Sequence, residues 1–110
     1  MKLKKSNKAG KKWMVEFVNP KTKKENTIHF GAAGMRDFTL ISQKGNKFYI
    51  PDATKREDVR SNYRRRHSKD PINNPYSAGA LSYHLLWNKP TLGASIKAFE
   101  NRFNINIKRG

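Results

Sequence analysis

The chain has 110 residues, enough for one domain and too few for two ordinary ones, and carries 24 Lys and Arg against 8 Asp and Glu, a formal net charge of +16. Its hydrophobic content of 35% is low, but the 11% aromatic share supplies large side chains for a core, so a folded domain with basic ends is expected rather than a wholly disordered chain. No apolar run approaches the roughly 18–20 residues of a membrane span, no apolar segment follows Met1–Lys5 as a signal peptide requires, and the lack of cysteine excludes disulfides and thiolate metal sites.

Residues 1–12 read as a basic arm, with Lys2, Lys4, Lys5, Lys8, Lys11 and Lys12 in twelve positions and Gly10 as a hinge. Order is expected from Trp13. In Trp13–Val18, Trp13, Val15 and Phe17 alternate on one face, a strand signal that Asn19-Pro20 ends. Lys21–Asn26 is a polar loop carrying Lys23 and Lys24. Thr27–Phe30 is the returning strand of a hairpin, with Ile28 and Phe30 inward and His29 on the other face. Gly31-Ala32-Ala33-Gly34 cannot continue the strand, since its glycines permit positive φ or close backbone approach. Phe38–Ser42 and Lys47–Ile50 flank Gln43–Asn46 and suggest a second hairpin.

Helical signals dominate the remainder. Thr54 with Glu57 three residues later forms a capping-box pattern, predicting a helix to about Lys69. Val59, Tyr63 and His67 make its narrow inner stripe, and Arg56, Arg60, Arg64, Arg65 and Arg66 its wet or anion-facing remainder. Asp70-Pro71 stops it. A second helix covers Ala78–Trp87, with Leu81 and Leu85 inward, and Asn88-Lys89-Pro90 closes it. Thr91 caps a third helix through Phe103, where Leu92, Ile96, Phe99 and Phe103 form the clearest core stripe and Asn104 the terminator. The expected fold is α+β: one or two N-terminal hairpins and about three helices in a single domain over residues 13–105, with residues 106–110 as a basic tail.

Catalysis has little support in this pattern. His29, Asp37, His67, Asp70 and His84 are the residues able to build an acid–base or metal site, but none stands in a catalytic or metal-ligand spacing. His67 suits a helix C-terminus, and His84, between leucines, suits a buried hydrogen-bonded position. No enzyme activity, cofactor or metal is expected, with a metal-dependent nuclease the lone enzymatic alternative. The basic residues carry more information. Arginine forks match phosphate oxygens, and Arg56, Arg60 and Arg64 fall on one helical stripe. Eight carboxylates cannot neutralise 24 cations. Lys4, Lys5, Lys8, Lys11 and Lys12 of the arm, Lys23 and Lys24 of the loop, and Arg56, Arg60, Arg64, Arg65, Arg66 and His67 are therefore the expected contacts to nucleic acid or another polyanion, through phosphates rather than base edges.

His29–Gly34, Asp37-Phe38-Thr39, Tyr63–His67 and above all Leu86–Leu92 with Ser95-Ile96 resemble a family of small basic proteins encoded by large double-stranded DNA viruses of algae and amoebae. The resemblance spans roughly Phe17–Ile105, and assigns no chemistry. It implies a viral origin and a place in the virion or host-cell interior rather than secretion. The stretch Leu40–Lys55 is longer than the family spacing, and Tyr83-His84 stands where a further aromatic is expected. Within the shared motifs, Asp37, Arg36 and His29 suit a polar network fixing the glycine turn that contains Gly31 and Gly34. Trp87, Asn88 and Pro90 suit structural roles at a helix break, with Asn88 bonding the backbone. Two functions follow: a genome- or replication-associated nucleic-acid binder, or a minor capsid component whose basic surface and ends tie it to other virion proteins or a membrane.

Overall fold

Alternation begins earlier than Trp13. In the computed structural model, which describes residues 1–110, Leu3 is 1% exposed and lies opposite Val15, itself fully buried. Residues 1–12 are thus no free arm. Strand β1 (Lys2–Lys5) pairs antiparallel with β2 (Lys11–Val18), and β2 pairs antiparallel with β3 (Glu25–Ala32). One buried leucine, worth about 1.5–3 kcal/mol, together with the ladder bonds, holds a segment whose lysines point outward. The hairpin predicted from Trp13–Phe30 is present and two residues longer at the start of β2, at the start of β3 and at the end of β3.

The predicted second hairpin is absent. Phe38–Ile41 instead forms a one-turn helix, α1, because the Asp37 carboxylate caps it by accepting from Leu40 N–H at 3.1 Å. The following turns return the chain so that Ile50 N–H donates to Ile41 O. Helix α2 (Ala53–Arg66) is capped two residues earlier than predicted. Asp52, not Thr54, is the N-cap, accepting from Thr54 and Lys55 N–H, and the helix ends at Arg66 with His67 as C-cap rather than at Lys69. Helix α3 (Ala78–Leu86) is capped by Ser77, and α4 (Leu92–Phe103) runs from its Thr91 cap to Asn104, which adopts the left-handed conformation at φ 53°.

The predicted basic tail is also structured. Strand β4 (Lys108–Arg109) pairs parallel with β1 and completes the sheet order β3-β2-β1-β4. Ile107 is buried, its N–H donates to Glu100 Oε2 at 2.8 Å, and the Arg109 guanidinium lies over the Trp13 ring. The Met1 ammonium donates to Asn106 O and Lys108 N–H to Met1 O, so the first and last residues share one sheet edge. The fold is α+β as expected. Leu3, Val15 and Phe30 from the sheet meet Leu81, Leu85 and Leu86 of α3 and Ile96 and Phe99 of α4 in one core.

His84 is buried in that core, with Nε2 2.8 Å from Ile72 O and the Phe103 ring edge-on at 5.1 Å. A carbonyl acceptor fixes Nε2 as the protonated nitrogen. Burial holds the imidazole below its ordinary 6.5, outweighing the bond to Ile72. The unfolded chain therefore takes up this proton first, so the contribution of His84 is present above about pH 6.5 and is lost as pH falls through the lower folded value. Urea midpoints at pH 7.5 and 5.5 should separate more in the wild type than in His84→Gln; equal separation in both proteins refutes the assignment.

Candidate nucleic-acid interface

The end of the β2–β3 hairpin forms one wall of a cleft. Gly31 takes φ +78°, and a Cβ there would stand 2.8 Å from Leu86 Cδ1, so only glycine lets β3 close against α3 at this point. Beyond it Gly34, at φ +79°, turns the chain into Met35, Arg36 and Asp37. Asp37 is buried and fully engaged: Oδ2 accepts from Lys12 Nζ at 2.7 Å, and Oδ1 accepts from Thr39 Oγ1 at 2.5 Å as well as from Leu40 N–H. The expected network of Asp37, Arg36 and His29 is therefore built differently. Lys12 and Thr39 are the partners of Asp37, His29 Nδ1 lies 2.7 Å from Ser6 Oγ, and Arg36 is exposed.

The opposite wall comes from the C-terminal ends of α2 and α3. Trp87, Tyr63 and His67 form a three-ring stack, with centroids 4.2 Å apart at both steps and planes within 5° and 24°. Helical spacing explains half of it, since Tyr63 and His67 are four residues apart; Trp87 enters as the C-cap of α3. His67 Nδ1 lies 2.9 Å from Asp70 Oδ2. Between the walls is a cleft of about 330 Å³ whose rim carries Lys11, Lys12, Arg36, Arg66 and His67. Asp37 is its single carboxylate, and Lys12 neutralises it.

The arginine stripe predicted to track a phosphate backbone is largely turned inward. Arg60 Nε donates to Trp87 O and Asn88 O, both at 3.1 Å, and its guanidinium also bridges Glu57 and covers the Phe38 ring. Arg64 donates to Asn88 Oδ1 at 3.2 Å and lies over the Tyr83 ring. Burial lowers the pKa of Arg64, and its Nε has no partner. Arg56 donates to Ile50 O and Pro51 O. Asn88 thus receives arginines through its side chain and its carbonyl, instead of bonding the backbone as expected. Trp87 is buried, while Pro90 is exposed in the α3–α4 connection.

The remaining candidates are scattered. Lys4 bridges Glu16 at 2.6 Å, and this contact lowers the Glu16 pKa. Lys5 and Lys8 are exposed at the β1–β2 turn, Lys23 and Lys24 at the β2–β3 turn, and Arg65 is exposed and bonded to Asn62. Of the predicted contacts, the fold brings together Lys11, Lys12, Arg66 and His67. It adds Arg36, Tyr63, Ser82 and Met35, which sequence reasoning did not place in a binding site. The available signal was Arg36 beside the glycine turn; Ser82 and Met35 carry none.

The three histidines stand apart, and no three His, Asp or Glu side chains gather where they could share a metal ion. No helix is long and apolar enough to cross a membrane. Residues 1–40 match the model of a family of unknown function, DUF5754. That segment contains β1, β2, β3 and the Lys11–Asp37 wall of the cleft. No curated protein and no solved structure matches the chain.

Proposed function

We propose that the protein is a non-enzymatic nucleic-acid binder that contacts phosphates, in the genome- or replication-associated setting suggested by the viral resemblance of Phe17–Ile105. One observation carries this reading. Only three of the 24 Lys and Arg side chains bridge a carboxylate, and Lys11, Arg36 and Arg66, which make no side-chain hydrogen bond within the protein, border a single cleft. Such cations repel one another until a polyanion neutralises them, and the counterions they release from nucleic acid supply affinity without base readout.

The alternative, a minor capsid component tied through its ends, draws less support from the fold, in which both ends are paired in the sheet. Its basic surface remains, and the same experiment separates the two. Labelled duplex DNA, single strands and RNA are titrated across a salt series with wild type and Lys11→Ala/Arg36→Ala/Arg66→Ala. The wild type is expected to bind near physiological salt, and the triple variant to lose about three units of duplex log–log salt slope. Binding that disappears below about 150 mM salt assigns the charge to an acidic protein or membrane surface instead, and an unchanged slope in the variant removes Lys11, Arg36 and Arg66 from the contacts.

A further inference from the structure

The donors around the cleft exceed anything the protein offers them. Besides Lys11, Arg36 and Arg66, the lining includes Tyr63, Trp87 and Ser82, whose hydroxyls and indole N–H make no hydrogen bond within the protein. Tyr63 and Trp87 are 8% and 7% exposed. The one buried side-chain polar atom without a partner is Arg64 Nε, so these three donors reach solvent and are free to meet an acceptor in the cleft. The lone lining carboxylate, Asp37, already accepts from Lys12, Thr39 and Leu40 and is neutralised by Lys12.

We infer that this cleft is a discrete, saturable phosphate site, in which Lys11, Arg36 and Arg66 neutralise the anion while Tyr63, Trp87 and Ser82 donate to its oxygens. The inference deepens the nucleic-acid reading and rests on it for the source of the phosphate. Ring geometry separates an anion from a stacked base. Both faces of Tyr63 are covered, by Trp87 and His67, so it presents only its edge. The edge is the positive part of an aromatic quadrupole, suited to an anion and useless for stacking. The Tyr63 hydroxyl is a donor at neutral pH, as a phenol ordinarily is, and burial pushes its pKa further up, to about 12.

The test follows the two indole N–H signals by NMR during titration with inorganic phosphate at fixed ionic strength. Trp87 should shift and saturate, while Trp13, outside the cleft, stays in place. Tyr63→Phe keeps the stack and should weaken binding by about tenfold, the scale of one hydrogen bond to a charged group; Lys11→Ala/Arg36→Ala/Arg66→Ala should abolish it. Oligonucleotides with a 5′-phosphate or a 5′-hydroxyl then identify the source. A preference for the former assigns a strand end and equal binding an internal phosphodiester, and either supports the site when Tyr63→Phe weakens it. Indole shifts that move together without saturating, or a Tyr63→Phe titration matching wild type, overturn the site and leave a polymer-binding result standing. Saturation at Trp87 with no oligonucleotide bound retains the site and overturns the nucleic-acid reading.

Discussion

Replacing Arg60 and Arg64 together by alanine should unfold the protein more readily while changing little in its polyanion contacts. These arginines lie on the same helix as the cleft residue Arg66, yet they do different work. Arg60 Nε satisfies two carbonyls, Trp87 O and Asn88 O, where α3 has ended and its last acceptors lack helical partners. One Nε–H serves both carbonyls, while the rest of the guanidinium bridges Glu57 and covers the Phe38 ring. Arg64 holds the side chain of the same Asn88 and covers Tyr83. Hydrogen bonds to charged groups are each worth about 1.5–3 kcal/mol, and removing the donor strands a partly buried acceptor. The buried, unpartnered Nε of Arg64 offsets part of the gain. The double variant should therefore lose about 2–4 kcal/mol of stability, read as a lower urea midpoint at constant m. Lys11→Ala/Arg36→Ala/Arg66→Ala, which removes exposed or unbonded groups, should keep the wild-type midpoint. An unchanged midpoint in Arg60→Ala/Arg64→Ala, with weakened binding, would return those arginines to the interface.

That contrast shows where sequence reading succeeds and where it stops. The last helix is legible because Leu92, Ile96, Phe99 and Phe103 repeat at helical spacing between a good N-cap and an asparagine able to adopt positive φ. Trp13, Val15 and Phe17 announce β2 equally well. Strand β1 is hidden because Leu3 is its sole apolar residue and its partners lie across a turn and, in β4, at the far end of the chain. Phe38–Ile50 mimics a hairpin because a carboxylate cap, rather than apolar spacing, decides α1. The arginines of α2 are visible in sequence, but their direction is not: whether a guanidinium meets water or the carbonyls of a helix 27 residues on is a tertiary matter. The cleft was illegible as a unit, since it joins the ends of β2, β3, α2 and α3, which become neighbours only after folding.

Asp37 couples stability to the charge of that cleft, so its substitutions should move the two properties in opposite directions. Its carboxylate is 1% exposed and receives the Lys12 ammonium, the Thr39 hydroxyl and the Leu40 N–H. Asp37→Ala removes the acceptor of all three and the cap of α1, leaving Lys12, at 14% side-chain exposure, without its counterion. Breaking a buried pair from one side costs about 3–5 kcal/mol, because the surviving charge remains desolvated. Asp37→Asn should cost less, since asparagine caps helices as well as aspartate does. In Asp37→Asn the fold survives with one more uncompensated cation on the cleft wall. Its duplex-binding salt slope should then steepen by about one unit, and phosphate should saturate the site at lower concentration, while the urea midpoint falls. Lys12→Met/Asp37→Asn isolates the cause: it removes the freed cation, and the added slope should vanish while the cap remains. If Asp37→Asn lowers affinity and midpoint together, the carboxylate serves the cleft only by holding its wall, and Lys12 contributes no charge to a ligand there.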